Sequence, residues 1–576
     1  MRAIASTEMQ QQEAEVIGKK TDCGPVDALL TVQLRRRADA EAPLSVIDGE
    51  ELAGGASRPA RDVTVDLLRA VAIVAVAVGH WLVVVPAFSG GRFDGVNALE
   101  TVPLMRVLSW VFQVMPLFFV LGGYANAHSW RSARGKGGSY AEWLRTRLVR
   151  LLRPSVVFVG VWVGAGALLR VLGTDPELVR LMAWLAVVPV WFLAVYVVVV
   201  AAAPLLLALH ERYGLRVLVA LAVLATLVDY LRLGTEIDGV EWTNFFWVFL
   251  FAQQLGFVWA DGTLNRSRGT PLVLFVGGLA ALVALTQLGP YPLSMVGVPG
   301  EDVANNAPPT ITLIALGIAQ CGLALLLRAR VARWAERPAV LRSVIALNLN
   351  AMTMLLWHFT ALILVAVVVL PLGVVPVYPD GSLAWWLTRI GAVLVLCGPL
   401  AGLVAVFGRV ERGGATAVVA PWQRRSSMTR SAAADHMVVV AMVGSTLLSA
   451  AAFGLIAVGG LSTGQGRLGI PIVPVVLLAA AVALTTVAAP GRDEQTSAMS
   501  KAAGSARRRP THAERRAASG EQRRGAGSAL HHVDRVDRAG SGRIRRSARR
   551  SRRRGLPAPD RGWPWCPWRG CPTRCG

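Results

Sequence analysis

About twelve apolar runs, each of a length that crosses a bilayer as a helix, recur between residues 65 and 489, and they leave this chain few ways to fold. They lie at roughly 65–86, 103–127, 148–169, 183–209, 215–233, 242–260, 271–288, 310–328, 344–370, 383–407, 437–461 and 470–489. In hydrocarbon every backbone polar group must be satisfied internally, so long apolar runs of this kind become helices rather than open strands. The chain is 54% hydrophobic and only 16% charged, less charge than a soluble domain carries. The expected fold class is an all-α integral membrane protein, a polytopic bundle of about ten core transmembrane helices plus about two additional C-terminal ones.

The connections between runs alternate in charge. Segment 128–147 carries Arg131, Arg134, Lys136, Arg145 and Arg147, and basic residues return after the sixth, eighth and tenth runs. Loops 234–241, 289–309 and 371–382 hold acids and neither Lys nor Arg. By the positive-inside rule this predicts a multi-pass protein of the cell membrane with both termini cytoplasmic. His128, at the end of the second run, reads as a loop residue.

Four regions are expected: a disordered cytoplasmic segment 1–61, a transmembrane domain 62–410, two further helices in 411–490, and a basic disordered tail 491–576. Segment 1–61 has no signal-peptide core. The tail holds 22 Lys and Arg against 7 Asp and Glu, so it supplies +15 of the net charge of +23. The charge therefore argues weakly for nucleic acid, and none is expected as a partner. A tail of this composition fits anionic headgroups; a low-complexity extension without a role fits it better, since it shows neither periodicity nor ligand spacing. The six cysteines show no zinc or disulfide spacing, and no metal is expected.

The first run, VDLLRAVAIVAVAVGHWLVVVP, carries Asp66 and Arg69 at its start and His80 well inside. Eleven positions make about three turns, which puts Arg69 and His80 on nearly one face, roughly 16 Å apart along the axis. An ionisable side chain inside a membrane faces a bundle interior or a wet cavity and marks function by default.

Three stretches in order now carry a resemblance: Arg69 and His80 with ten residues between them, MPLFFVLGGYANA at 115–127, and RTRLVRLLRP at 145–154. Together with WFL at 191–193 and LLWHF at 355–359, they resemble the membrane-bound acyltransferase-3 family over about residues 62–410. Where that family usually has Ser before Gly-Tyr, this chain has Gly122. The resemblance implies an integral-membrane O-acyltransferase. It would take an acyl group, acetyl being one candidate, from cytoplasmic acyl-CoA to a hydroxyl of a saccharide, glycolipid or other envelope acceptor. Acyl-CoA is then a co-substrate, no bound cofactor is implied, and the partners are donor, acceptor and membrane lipids. The other class that fits is a multi-span transporter or flippase, although no repeat relates the two halves as transporters often show.

On the resemblance, His80 is the candidate general base, since a neutral imidazole can take the proton of an attacking hydroxyl. A packing histidine bonded to a carbonyl is the plain alternative. Arg69 cannot be a base; it suits a CoA phosphate or a positive-inside anchor, and Asp66 one turn earlier suits it as an ion-pair partner. Arg147 and Arg150 form a candidate fork for CoA phosphates or, equally, an ordinary topology signal. Gly122, Gly123 and Tyr124 offer close backbone approach and a hydroxyl, with helix packing the stronger reading. His358 is a second intramembrane imidazole, as fit to line a cavity as to bond to a neighbour such as Asn348 or Asn350. Asp229, Gln253 and Gln254 receive no role.

Overall fold

The computed structural model describes residues 62–89, 92–235, 237, 239–419, 432–462, 466 and 468–487. The expected disorder of 1–61 and of 491–576 lies outside the described residues. Among those residues, ten helices are long and apolar enough to cross a membrane. Among the described residues the strands form one two-stranded antiparallel hairpin, β1 (Val84–Ser89) with β2 (Arg92–Asn97). The all-α polytopic expectation holds.

Helix α1 (Val63–Val83) starts at Asp62, whose side chain accepts the amides of Thr64 and Val65 and so caps the first turn. It ends before Pro86, since Val84 is already extended and leads into the hairpin. After a short turn, α2 (Ala98–Thr101), the second run divides into α3 (Pro103–Phe112) and α4 (Met115–Gly135). The sequence read 103–127 as continuous. Pro116 breaks it, because proline has no amide hydrogen to give to the carbonyl four residues back. The amide of Gln320 bridges the gap: its Nε2 donates to the Gln113 carbonyl at 2.9 Å and its Oε1 accepts from the Leu117 amide at 3.3 Å. A polar side chain from a neighbouring helix thus restores the bonds that a broken membrane helix loses.

Helix α4 continues to Gly135, so His128 is helical and not in a loop; its Nδ1 donates to the Tyr124 carbonyl at 2.9 Å. A capping box of Ser139 and Glu142 then opens α5 (Tyr140–Val171), which runs through Pro154. The expected basic loop 128–147 is therefore mostly helix. Next come α6 (Pro176–Ala186), α7 (Trp191–Tyr213), α8 (Leu215–Thr235) and α9 (Asn244–Ala260). Helix α9 has only 17 residues, and all of 251–259 are buried.

Helices α10 (Thr270–Leu288) and α11 (Ile311–Ala335) pair closely, joined by the long connection 289–310. The ninth run also divides: α12 (Pro338–Leu349) is a short helix against α1, and α13 (Ala351–Val369) is a span. Helix α14 (Leu383–Val419) lies against α13 and α5. Beyond it, α15 (Ala432–Gly459) and α16 (Ile472–Val487) pack on each other and on α5 and α7. The last of these falls short of a span by length.

The core sits where α4, α7 and α9 meet, with Phe119, Phe249, Phe257 and Trp259 fully buried, and Phe359 of α13 is fully buried too. Helices α4 and α9 touch backbone to backbone. A Cβ on Gly123 would fall on the Gln253 carbonyl, and one on Gly256 would fall on the Val120 carbonyl. This is the small-residue approach of membrane helices.

Candidate functional site

His80 and His358 come together. Nδ1 of His80 lies 3.0 Å from Nε2 of His358. The ring centroids are 5.1 Å apart and the planes differ by 13°. A nitrogen separation so much shorter than the centroid separation means that the rings meet edge to edge, in the geometry of an N–H···N hydrogen bond.

The protons in this pair are set by its neighbours. Nδ1 of His358 is 2.8 Å from the Leu355 carbonyl, which only accepts, so that nitrogen carries the hydrogen. In the neutral ring Nε2 of His358 is then the acceptor, and Nδ1 of His80 donates to it. The remaining nitrogen of His80, Nε2, keeps its lone pair. Helix α1 is held to α13 a second time by Trp81, whose Nε1 donates to the His358 carbonyl at 3.0 Å.

His358 is fully buried, whereas His80 is partly exposed and lines a cavity of about 90 Å³. The cavity lies between α1, α3, the α6–α7 junction and the 289–310 connection; Gly79, Ser109, Phe112, Gln113, Phe192 and Asn306 are among its walls. On α1 its walls are Val76, Gly79, His80 and Val83, in the half of the helix away from Arg69. That connection carries no regular helix, so it needs fixing. Ser109 Oγ accepts the Met295 amide at 2.8 Å, Trp110 Nε1 donates to the Leu293 carbonyl at 2.7 Å, and Arg106 pairs with Glu301 at 3.2 Å. Asp229 anchors its two ends: buried on α8, it accepts from Tyr291 Oη at 3.0 Å, the Ile311 amide at 2.8 Å and Asn244 Nδ2 at 2.8 Å. Tyr291, outside the spans, has its phenol pushed up by burial and by the Asp229 carboxylate.

The other expected site residues lie elsewhere. Arg69 sits near the start of α1, 3.9 Å from Asp66. Tyr124 donates to Asp62 Oδ2 at 3.1 Å, as does Arg328 at 3.0 Å, so α4 and α11 are both tied to the start of α1 there. Arg147 stacks 3.8 Å over the Trp143 ring and donates to the Trp143 carbonyl and to Ser129, while Arg150 is exposed. Gly123 is consumed by helix contact, whereas Gly122 has nothing within 4 Å of a Cβ position. Neither Asn348 nor Asn350 partners His358: Asn348 donates to the Asp66 carbonyl at 2.8 Å, and Asn350 receives Arg412. Gln253 bonds Asn126 at 3.1 Å and the Val199 carbonyl at 2.9 Å, and Gln254 bonds His210 at 2.7 Å.

Sequence reasoning missed the cavity wall and one support. Ser109 and Gln113 are polar groups inside an apolar run, and that signal was available. Phe112 gave none. Glu411, buried on α14, accepts from the Met352 amide at 3.1 Å, the Thr353 amide at 2.9 Å and Thr353 Oγ1 at 2.8 Å. It satisfies the open first turn of the helix that carries His358.

The structure is thus a multi-pass membrane bundle in which two imidazoles from distant helices pair, one of them on the wall of a cavity. A family model described as an acyltransferase domain matches residues 62–404, more than half of the chain, and the chain belongs to the acyltransferase-3 family. No curated protein and no solved structure matches it. The chain is thus a membrane acyltransferase, and α15 and α16 fall beyond the family match.

Proposed function

We propose that this protein transfers a short acyl group from cytoplasmic acyl-CoA to a hydroxyl of an envelope acceptor, a saccharide or glycolipid, with His80 as general base. The observation that carries the reading is the His80–His358 pair, because its hydrogen bonds leave the lone pair of His80 on Nε2. Nε2 takes the proton of the acceptor hydroxyl as its oxygen attacks the thioester carbonyl. The new C–O bond forms, the C–S bond breaks, and the proton passes from Nε2 to the departing CoA thiolate. While His80 carries both protons, its Nδ1–H bond to His358 is charge-assisted and strengthens, which stabilises the imidazolium as charge develops.

The donor reading draws support from the basic end of the bundle. Arg328 pairs with Asp62 and Arg69 lies beside Asp66 at the start of α1, and Arg147 and Arg150 lie in the first half of α5, where the basic segment 128–147 ends. The positive-inside rule makes that end cytoplasmic, where acyl-CoA arrives. In this reading Arg150 is free to grip phosphate, while Arg147 does so only by giving up contacts with Trp143 and Ser129. In the same reading Tyr124 ties α4 to Asp62 rather than touching substrate, and Gly122 is left without a role.

The test is acyl transfer from labelled acetyl-CoA to the envelope acceptor pool, in membranes with matched amounts of inserted protein. His80→Ala and His80→Gln both lose about a hundred- to ten-thousand-fold, the usual worth of a general base. Near wild-type turnover by either variant would sink the assignment.

A further inference from the structure

Beside the His80 cavity runs a second, larger space: an apolar groove of about 480 Å³ between α1 and α12, lined by Val71, Val74, Val78, Trp334 and Val344. One side chain belongs to both walls. Phe112, the last residue of α3, lines the cavity and the groove alike. On α1 the division falls between neighbours, since Val78 faces the groove and Gly79 the cavity, one residue before His80. Gly79 is what lets the phenyl ring lie there, because a Cβ on it would stand 3.0 Å from Cβ of Phe112.

We propose that Phe112 sets the length of the acyl group that the His80 site accepts, by closing it off from this groove. The proposal rests on the acyl-transfer reading above and adds the class of donor. An engineered cavity of about 150 Å³ binds benzene. At about 90 Å³ the His80 cavity is smaller, so the carbonyl beside Nε2 carries a short tail. The continuation past Phe112 is hydrocarbon-lined and suits an extended alkyl chain, not a sugar or a nucleotide. Removing the ring joins the two spaces, and a medium-length chain then lies along α1 with its carbonyl at His80.

The experiment compares acetyl, butyryl, octanoyl and decanoyl donors, each as the CoA thioester and as the N-acetylcysteamine thioester, on the full chain in membranes. The wild type prefers acetyl and butyryl. Phe112→Ala, shown to be folded by its inserted amount and its thermal midpoint in detergent, raises the octanoyl-to-acetyl ratio of kcat/KM at least about tenfold, the discrimination a filled pocket exerts. Phe112→Leu falls between the two and serves where Ala lowers the inserted amount. Refilling the groove at an exposed position, Val74→Trp in the Phe112→Ala background, cancels the gain. The proposal is overturned if the wild type uses octanoyl as readily as acetyl, if Phe112→Ala and Phe112→Leu leave the ratio unchanged, or if Val74→Trp fails to reverse it. The short thioesters keep this outcome apart from the donor reading: transfer from them alone removes CoA as donor and still reports on Phe112.

Discussion

Replacing His358 separates the imidazole pair from a lone base. In His358→Leu the side chain stays apolar in a fully buried site, but the acceptor 3.0 Å from His80 Nδ1 is gone. Nδ1 then loses its partner, and the ring is no longer held in the tautomer that leaves Nε2 unprotonated. A hydrogen bond to a charged group contributes about 1.5–3 kcal/mol. At about 1.4 kcal/mol per factor of ten, turnover falls roughly ten- to a hundredfold. That is less than the loss from His80→Ala, because the base itself remains. His358→Gln keeps an acceptor oxygen near the position of Nε2 and stays within about tenfold of wild type. The double variant His80→Ala, His358→Leu is no worse than His80→Ala alone, since the second residue acts only through the first. The assay is single-turnover acyl transfer at saturating donor, normalised to inserted protein. Wild-type turnover by His358→Leu would refute the tautomer argument, and additive losses in the double variant would refute the pairing.

Four further outcomes follow from the packing. Gly123→Ala drives a methyl into the Gln253 carbonyl and lowers the thermal midpoint in detergent by an overpacking cost of about 1–3 kcal/mol, whereas Gly122→Ala leaves it unchanged. Glu411→Ala uncovers three donors at the start of α13 and reduces both folded yield and turnover; Thr353→Val, which removes only the hydroxyl contact, costs about 1 kcal/mol in the same melt. Arg150→Ala raises the KM for acyl-CoA at unchanged folded amount, and Lys restores it in part, since ammonium lacks the planar fork; an unchanged KM would reduce Arg150 to a topology signal. Burial works to raise the pKa of Asp261, in the connection after α9, but hydrogen bonds from Thr263 and His210 hold its carboxyl below the usual range. It therefore stabilises the fold above its unfolded pKa and loses that contribution as pH falls through the folded value, so Asp261→Asn flattens the acid limb of a stability–pH curve.

The sequence by itself determined the helical membrane architecture, because hydrocarbon allows a long apolar run one conformation that satisfies its own backbone. It also singled out His80, since an imidazole placed so deep in such a run needs a partner or a cavity. It did not mark the interruptions: Pro116 in a run otherwise fit to span reads as tolerable until Gln320, some two hundred residues later, is seen filling the gap. Nor did it name the partner of His358. Asn348 and Asn350 were nearer in sequence, but the break at Asn350 turns α12 away to lie on α1, and His80 takes the bond across the bundle. Helical period states which residues share a face of one helix. Which faces meet is decided by how the helices pack, and in this protein close contacts such as Gly123 on Gln253 and Gly79 under Phe112 make those choices. The intramembrane imidazole was thus legible in the sequence, whereas its hydrogen-bond partner and the wall beside it belong to the tertiary structure, since both depend on atoms brought together from helices far apart in the chain.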